Sequence, residues 1–274
     1  MNSEPLAARS SAAEQQARRG ASIIELAGVG KTFGSGEQTV HALGPLDLAI
    51  EAGSFVSIIG PSGCGKSTLL RLIAGLETPT QGQLRRNGAT LDGPSREVGV
   101  VFQDHVLFPW ATILDNVMLP ADVMGLPRQR ALERAHWLLE LTGLKDFARH
   151  RSDMLSGGMK QRAAFCRALL ADPAMLLLDE PFAALDALTR EELSLELSRL
   201  WQELRRTALL ITHSIDEAVL LGDRLIVMSR RPGRIGLDIP IDLPRPRDVN
   251  TENHPGFLEI KHAARDLLFA GERG

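Results

Sequence analysis

Short runs of apolar residues alternate with helix-forming segments along most of this chain. Five runs of four or five mostly apolar residues lack polar alternation, which is typical of parallel strands buried on both faces. These runs are Phe55–Ile59, Val98–Phe102, Met175–Leu178, Leu209–Thr212 and Leu225–Met228. Because helix-forming segments separate most of them, the pattern indicates an α/β fold with a doubly wound, mostly parallel sheet.

The pattern also predicts further strands before the first apolar run and a block of helices between the second and third runs. Three short strand candidates come first, at Ser22–Val29, Val40–Leu43 and Leu46–Ile50. From Leu107 to Met154 the sequence turns helical, with the clearest helical periodicity over Pro127–Leu141. The pattern therefore predicts early strands and a block of helices placed within the α/β core.

The last third of the chain is predicted to end in a helix. A helix is expected over about Thr189–Arg206, where Thr189 and Glu192 fit a capping box. Prolines then interrupt regular structure, at Pro240, Pro244 and Pro246. A final amphipathic helix is predicted over His254–Phe269.

Composition limits the classes of function. At 274 residues and 44% hydrophobic, the chain can bury one large core or two modest ones. A net charge of −3 gives no general basic field, so we expect no nucleic-acid partner. Two cysteines, Cys64 and Cys166, form no metal-ligand pattern, and we expect a reducing cytosolic setting. No membrane span or signal peptide is expected, and residues 1–20 are predicted to be a disordered tail.

A glycine-rich segment links the first apolar run to a predicted helix that begins at Lys66. It matches G-x-x-x-x-G-K-[ST] in the strand–loop–helix context that gives this pattern its meaning. Its backbone N–H groups can surround a β-phosphate, Lys66 brings positive charge to the β- and γ-phosphates, and Ser67 can ligate Mg²⁺. The segment consists of Gly60, Pro61, Ser62, Gly63, Cys64, Gly65, Lys66, Ser67 and Thr68.

Polar side chains also follow three of the other apolar runs. Asp179 and Glu180 come directly after one run, where Asp179 can reach Mg²⁺ and Glu180 can polarise an attacking water as a general base. His213 and Gln103 follow two further runs. Ligands bind at the carboxyl edge of such sheets, so both are expected near the γ-phosphate, with the Gln103 amide on Mg²⁺ or on the water.

A second candidate anion site lies at Leu155–Arg162. Ser156 can cap a helix that starts here, while Gly157 and Gly158 leave the backbone N–H groups bare. One nucleotide needs a single phosphate cradle, so this second site requires a separate explanation.

In this order, the motifs resemble those of the ATP-binding subunits of ABC transporters, over roughly Ser22 to Phe269. The resemblance implies a P-loop NTPase (RecA-like) parallel-sheet core, an antiparallel β-subdomain and an inserted helical subdomain at about 104–155. Residues 21–235 would form the nucleotide-binding domain, and residues 236–274 a C-terminal extension with the final helix.

The resemblance also assigns roles to these residues. Residues 60–68 would be the Walker A loop, Gln103 the Q-loop glutamine and His213 the switch histidine. Asp179 and Glu180 would end Walker B, Asp186 would belong to the D-loop, and Phe33 would stack on adenine where tyrosine is commoner in the family. Leu155–Gln161 would be the signature, whose Ser156, Gly157 and Gly158 close over the γ-phosphate held by Lys66 of a second copy in a head-to-tail homodimer.

Three segments resemble the nitrate/sulfonate/taurine importer subfamily. These are Leu107–Val117, Ser229–Ile235 and Asp242–Arg247. The resemblance implies an ATPase on the cytoplasmic face of the cell membrane that powers import of a small anionic solute. Its partners would be integral membrane permease subunits and, indirectly, a periplasmic or extracellular solute-binding protein.

Large apolar residues near Gln103 allow two interpretations. If Phe108, Pro109 and Trp110 are exposed, they form a docking groove for a helix of a membrane subunit; if buried, they belong to the core. Two other functions also stay open on the residues alone. One is a soluble ABC ATPase that acts on nucleic acid or in regulation, and the other is a P-loop kinase, which would leave the signature unexplained.

Overall fold

The computed structural model describes residues 21–104 and 106–270. The predicted disordered tail at residues 1–20 lies outside this part of the chain. The helices are α1 (Lys66–Ile73), α2 (Ile113–Met124), α3 (Arg128–Leu141), α4 (Gly157–Leu169), α5 (Ala187–Leu204), α6 (Ile215–Leu221) and α7 (Pro255–Ala270). The strands are β1 (Ser22–Phe33), β2 (Val40–Glu51), β3 (Phe55–Ile59), β4 (Gln81–Arg86), β5 (Ala89–Thr90), β6 (Val98–Val101), β7 (Met175–Asp179), β8 (Thr207–Ile211), β9 (Arg224–Met228) and β10 (Ile235–Pro240).

A six-stranded sheet forms the core, in the order β10-β9-β3-β8-β7-β6. Strands β9, β3, β8, β7 and β6 pair in parallel, while β10 pairs with β9 in antiparallel fashion. Every residue of β3 and β8 is buried, as expected for strands covered on both faces. The predicted α/β fold with a parallel sheet is confirmed.

A second sheet is antiparallel and has the order β2-β1-β4-β5. Its strand β2 is continuous over twelve residues, so the two short strands predicted at Val40–Leu43 and Leu46–Ile50 are one element. Ala42, Leu43 and Gly44 are all buried, and buried and exposed positions alternate from Gly44 to Glu51, because Gly44 and Pro45 accept an extended conformation at this edge of the sheet.

The inserted helices α2 and α3 occupy residues 113–141 and pack with α4 into one apolar cluster. Residues 107–112 were expected to be helical, but they form a loop that ends at Thr112, which caps α2 with Asp115 in a capping box. The first helix of this block therefore begins at Ile113, not at Leu107 as the periodicity predicted.

Strand β10 was not predicted, because Pro240 marked the region as irregular. The strand ends at Pro240 and lies at the edge of the sheet, where a residue without an N–H is tolerated. It begins at the predicted boundary between the nucleotide-binding domain and the C-terminal extension. The domain boundaries stay predictions, and the final helix lies at Pro255–Ala270, one residue from the expected range at each end.

Arg247 joins the C-terminal segment to the core. Its side chain is buried, and its guanidinium donates hydrogen bonds to the backbone carbonyls of Val219, Gly222, Ile241 and Leu243 at 2.5 to 3.2 Å. Burial lowers the pKa of Arg247 to about 10. The contacts extend an apolar cluster in which Phe257 of α7 packs against α6, β9 and β10.

Replacing Arg247 with Met should lower the free energy of unfolding by about 2–4 kcal/mol, because several buried carbonyls lose their donor at once. Urea titration followed by circular dichroism measures this loss. The matched control is Arg128→Met, which removes an exposed ion pair with Asp122 and should change stability by less than about 1 kcal/mol. Equal losses in the two variants would contradict the assigned role of Arg247.

Candidate nucleotide-binding site

The glycine-rich loop connects the buried strand β3 to helix α1. Gly63 and Gly65 have φ angles of 72° and 105°, in the left-handed region that glycine tolerates best. Gly65 is the N-cap of α1, and no side chain forms a capping hydrogen bond there. The backbone N–H groups at the start of α1 are therefore available to an anion.

Gly60 and Cys64 pack against each other inside this loop. A Cβ atom on Gly60 would lie 2.9 Å from Cys64 Sγ and 3.0 Å from the Met228 carbonyl oxygen, so a larger residue does not fit. The Cys64 thiol is buried, and burial raises its pKa although Lys66 acts in the opposite direction. Cys64 thus contributes packing to the loop, and its side chain has little thiolate character.

The Lys66 ammonium group points back into its own loop. Nζ donates hydrogen bonds to the carbonyl oxygens of Gly60 at 2.8 Å and Pro61 at 3.1 Å, and the residue is buried. An ammonium group has three donors, so one remains for a phosphate oxygen.

Ser67 and Asp179 meet at the carboxyl edge of the sheet, although they are far apart in sequence. Ser67 Oγ donates a hydrogen bond of 3.1 Å to Asp179 Oδ1. Burial raises the pKa of Asp179, while the Ser67 hydrogen bond lowers it and the neighbouring Glu180 raises it further. A partly buried carboxylate beside a hydroxyl is an oxygen donor set that suits a hard divalent cation. Within residues 21–104 and 106–270, no three or more His, Cys, Asp or Glu side chains are grouped so that they could hold a metal ion.

Glu180 and His213 form a second pair at this edge. His213 Nε2 lies 2.6 Å from Glu180 Oε1, and the imidazole is about half exposed. Glu180 adopts a φ of 47°, and its N–H donates to the Ile211 carbonyl at the end of β8. An unusual backbone angle for a non-glycine residue thus holds the carboxylate beside the imidazole.

Two other predicted residues are exposed. Phe33 ends β1, and the ammonium group of Lys31 lies 4.9 Å from its ring centroid. Gln103 follows β6, which pairs in parallel with β7, so both Gln103 and Asp179 lie toward the same edge of the sheet.

Helix α4 begins at the second candidate anion site. Ser156 is its N-cap and accepts a hydrogen bond from the Met159 N–H at 3.3 Å, as predicted. Ser156 and Gly157 are exposed, whereas Gly158 is buried. A Cβ on Gly158 would lie 2.9 Å from Thr189 Cγ2, so the second glycine is required by close packing against α5.

Asp186 caps helix α5, in place of the predicted Thr189–Glu192 capping box. Its carboxylate accepts a hydrogen bond from the Thr189 N–H at 3.1 Å, and this bond lowers the pKa of Asp186. The helix begins at Ala187, two residues before the expected start, so Thr189 takes the third helical position and cannot be the cap.

Sequence reasoning missed three polar residues beside this site. Arg231 Nε donates a hydrogen bond of 3.1 Å to the Gly63 carbonyl of the phosphate loop. Glu217 is buried and close to Arg190, at 3.7 Å between Oε1 and Nε. Glu217 lies three residues after Ser214, the N-cap of α6, and this S-x-x-E spacing just after His213 was a signal for its place near the site.

The exposure of Trp110 decides between the two interpretations of the loop before α2, part of the core or an exposed surface. The Trp110 side chain is 70% exposed, and its ring stacks on Phe108 with a centroid distance of 5.0 Å. The interpretation of Trp110 as a core residue is therefore wrong, and an aromatic surface lies close in sequence to Gln103.

The fold and the site define a P-loop nucleotide-binding cassette. In agreement, residues 43–183 match the ABC transporter family. Among its relatives, the nitrate import ATP-binding protein NrtD of Synechococcus elongatus is 43% identical over 248 residues, 88% of this chain and 89% of that protein. An aliphatic sulfonates import ATP-binding protein, SsuB of Bacillus cereus, is 41% identical over 251 residues, 92% and 96% of the two chains.

Two further comparisons agree. The taurine import ATP-binding protein TauB of Pseudomonas aeruginosa is 48% identical over 200 residues, 73% of this chain and 76% of that protein. A dimeric ATP-binding cassette in a post-hydrolysis state, bound to ADP and Pi, superposes with a TM-score of 0.70 at 34% identity, covering 81% of this chain and 100% of that one. The chain belongs to the ABC transporter family, and it is an ATP-binding, ATP-hydrolysing cassette of that family. None of the described helices is long and apolar enough to cross a membrane.

Replacing Asp179 with Asn should raise the free energy of unfolding of the nucleotide-free protein at neutral pH. The raised pKa means that the folded state holds the Asp179 proton more tightly than the unfolded state, so the ionised carboxylate costs stability. The gain over wild type should shrink as the pH falls below the folded-state pKa, because the carboxylate of the folded protein then takes up a proton, and it should vanish below the unfolded-state pKa, where both states are protonated.

Thermal melts at several pH values measure this difference. Asp92→Asn serves as the control, because Asp92 is exposed, and its change should shift the midpoint far less than Asp179→Asn does. A lower midpoint for Asp179→Asn at neutral pH would contradict the assignment of a desolvation cost to this carboxylate.

Proposed function

We propose that this cassette uses ATP hydrolysis to drive import of a small anionic solute through a separate membrane subunit. The observation that carries the proposal is the arrangement at the edge of the parallel sheet. There Asp179, which ends β7, and the next residue, Glu180, pair with Ser67 and His213 respectively, beside the phosphate loop. This is the charge distribution that hydrolysis of a nucleoside triphosphate requires.

The nucleotide is held by the phosphate loop and by the end of β1. The backbone of residues 60–65 and the start of α1, including Ser67 and Thr68, surround the phosphates. Lys66 directs its remaining donor to the β- and γ-phosphates. Phe33, exposed at the end of β1, presents a ring face for adenine.

Three residues are placed to hold Mg²⁺, namely Ser67, Asp179 and Gln103. When bound, this ion supplies charge neutralisation between the phosphate groups. In support, Ser67 Oγ and Asp179 Oδ1 lie 3.1 Å apart, so these two oxygen donors are already close to each other. The Gln103 amide contacts either the ion or the attacking water.

Glu180 acts as the general base. Its carboxylate accepts a proton from a water molecule as the water oxygen attacks the γ-phosphorus in line with the departing ADP oxygen. The bond between the γ-phosphorus and the bridging oxygen breaks, and the products are ADP and inorganic phosphate. His213, hydrogen-bonded to Glu180, fixes the orientation of the carboxylate and contacts the γ-phosphate.

A complete site requires two copies of the chain. Ser156 and Gly157 are exposed at the start of α4, where their N–H groups can face the γ-phosphate held by Lys66 of a second copy, with Gly158 directly behind them. Asp186 lies at the start of α5, which packs on this glycine pair, and belongs to the same interface. The dimeric relative bound to ADP and Pi supports a homodimer, and we propose that its two copies pack head to tail.

The aromatic surface of Phe108 and Trp110 is the docking surface for a helix of the membrane permease. A large exposed indole stacked on a second ring offers the apolar contact that such a helix needs. The cassette then works at the cytoplasmic face of the membrane, and a separate solute-binding protein delivers the solute to the permease. We propose no nucleic-acid partner, in keeping with the net charge of −3.

The names of the relatives support the class of solute. Nitrate, aliphatic sulfonates and taurine all carry an anionic oxygen-rich group, and the relatives that import them share 41–48% identity with this chain. We therefore propose a small solute bearing such a group, whose selection takes place in the other subunits.

Replacing Glu180 with Gln should leave ATP binding intact and reduce the turnover number by about 10²–10⁴-fold, because general-base catalysis is lost while the side-chain size is kept. The variant should also accumulate as an ATP-bound dimer in size-exclusion chromatography. Glu192→Gln, on the exposed face of α5, is the control and should hydrolyse ATP at the wild-type rate. Wild-type turnover by Glu180→Gln would refute the assignment of the base.

Replacing Trp110 with Ala should leave the ATPase rate of the isolated cassette unchanged and abolish solute uptake by the assembled transporter. Uptake into proteoliposomes and co-purification with the permease provide the two measurements. Val123→Ala, at a residue that is 75% exposed on α2, is the control for loss of an exposed apolar side chain. Normal uptake by the Trp110 variant would exclude this surface as the docking site.

A further inference from the structure

A buried polar chain leads from His213 to the turn before helix α5. Thr212 Oγ1 donates a hydrogen bond of 2.5 Å to Glu217 Oε2, and both residues are buried. The Ser214 N–H donates to the same Thr212 hydroxyl, and the Glu217 N–H donates to Ser214 Oγ. Glu217 therefore holds the backbone on both sides of His213.

The second carboxylate oxygen of Glu217 faces Arg190 in the first turn of α5. Their atoms Oε1 and Nε are 3.7 Å apart, and this buried Nε has no hydrogen-bond partner in the part of the chain that the structure describes. The other end of the same guanidinium donates through Nη2 to the Leu185 carbonyl at 3.0 Å. A small movement of the turn would convert the ion pair into a direct hydrogen bond.

The turn before α5, where Arg190 donates to the Leu185 carbonyl, packs near Gly157, and Thr189 in the first turn of α5 packs near Gly158. A Cβ on Gly157 would lie 3.3 Å from Leu185 Cδ2, and one on Gly158 would lie 2.9 Å from Thr189 Cγ2. There is little room for a larger side chain at either glycine, so a movement of the turn and the start of α5 would press against this glycine pair.

We propose that Glu217 and Arg190 are positioning residues that couple His213 in one ATP site to the signature glycines of the other site in the dimer. This inference rests on the proposed function, since it needs each copy to lend Gly157 and Gly158 to its partner. Each chain then contains a rigid connection between the site where it supplies Glu180 and His213 and the site where it supplies the signature.

The connection predicts that breaking the pair reduces communication between sites more than nucleotide binding. Glu217→Gln keeps an oxygen that can accept from Thr212 but removes the charge that faces Arg190. We expect the turnover number to fall about tenfold, the KM for ATP to change less than about twofold, and the Hill coefficient for ATP to fall toward 1. Arg190→Met should give the same changes, and Arg190→Lys, which keeps the charge, should restore part of the cooperativity.

A double-mutant cycle on the full-length protein separates coupling from simple loss of packing. If the two side chains act as one unit, Glu217→Gln combined with Arg190→Met should lower turnover no further than either single change. Asp238→Asn, which removes an ion pair with Arg224 at the far edge of the sheet, is the control and should keep wild-type turnover and Hill coefficient.

Measurements on the wild type distinguish a failure of the proposed function from a failure of the coupling role of Glu217 and Arg190. Absence of ATP hydrolysis or of an ATP-dependent dimer in the wild type would overturn the proposed function itself. Cooperative hydrolysis in the wild type with an unchanged Hill coefficient in both single variants, or additive losses in the double variant, would overturn the coupling role of Glu217 and Arg190. A lowered Hill coefficient with non-additive losses would support it.

Discussion

The fold depends on the burial of parallel strands that end at one edge of the same sheet. Strands β3, β7 and β8 are covered on both faces, and apart from the buried Ser57 in β3 and Thr207 at the start of β8, their polar side chains lie at or just after the strand ends. This constraint brings Ser67 and Asp179 to 3.1 Å, although 112 residues separate them in sequence. The Glu180–His213 pair meets in the same way, because β7 and β8 are neighbours.

The phosphate loop is held from a second direction by the turn between β9 and β10. A Cβ on Gly233 would lie 2.0 Å from the Cys64 carbonyl oxygen, and the Gly233 backbone bonds to both Ala42 and Gly44 of β2. Arg231, two residues earlier, donates to the Gly63 carbonyl. These contacts hold the phosphate loop between the parallel and the antiparallel sheets. They explain why glycine occupies position 233 and arginine position 231 in the Ser229–Ile235 segment.

The sequence predicted the sheet and the motifs well, because apolar runs and a glycine-rich loop are local signals. Its errors arose where tertiary packing decided the outcome. Pro240 suggested an irregular segment, yet an edge position let the strand extend to it. Thr189 and Glu192 fit a capping pattern, but the turn after β7 placed Asp186 first. Glu217 carried only a capping spacing with Ser214 and Arg190 no motif, and their meeting depends on how α5 and α6 pack beside β8.

Several charged groups in this region are kept in places that cost stability. Burial raises the pKa of both Asp179 and Glu217, and Glu180 contributes to each shift as a like charge. A protein selected for stability alone would replace such carboxylates with neutral residues. Their accumulation around Glu180 fits a site that binds a cation and polarises water, because carboxylate oxygens supply the negative charge that both tasks need. The same region holds Arg190 Nε 3.7 Å from Glu217 Oε1, next to the turn that packs against the glycine pair at the start of α4.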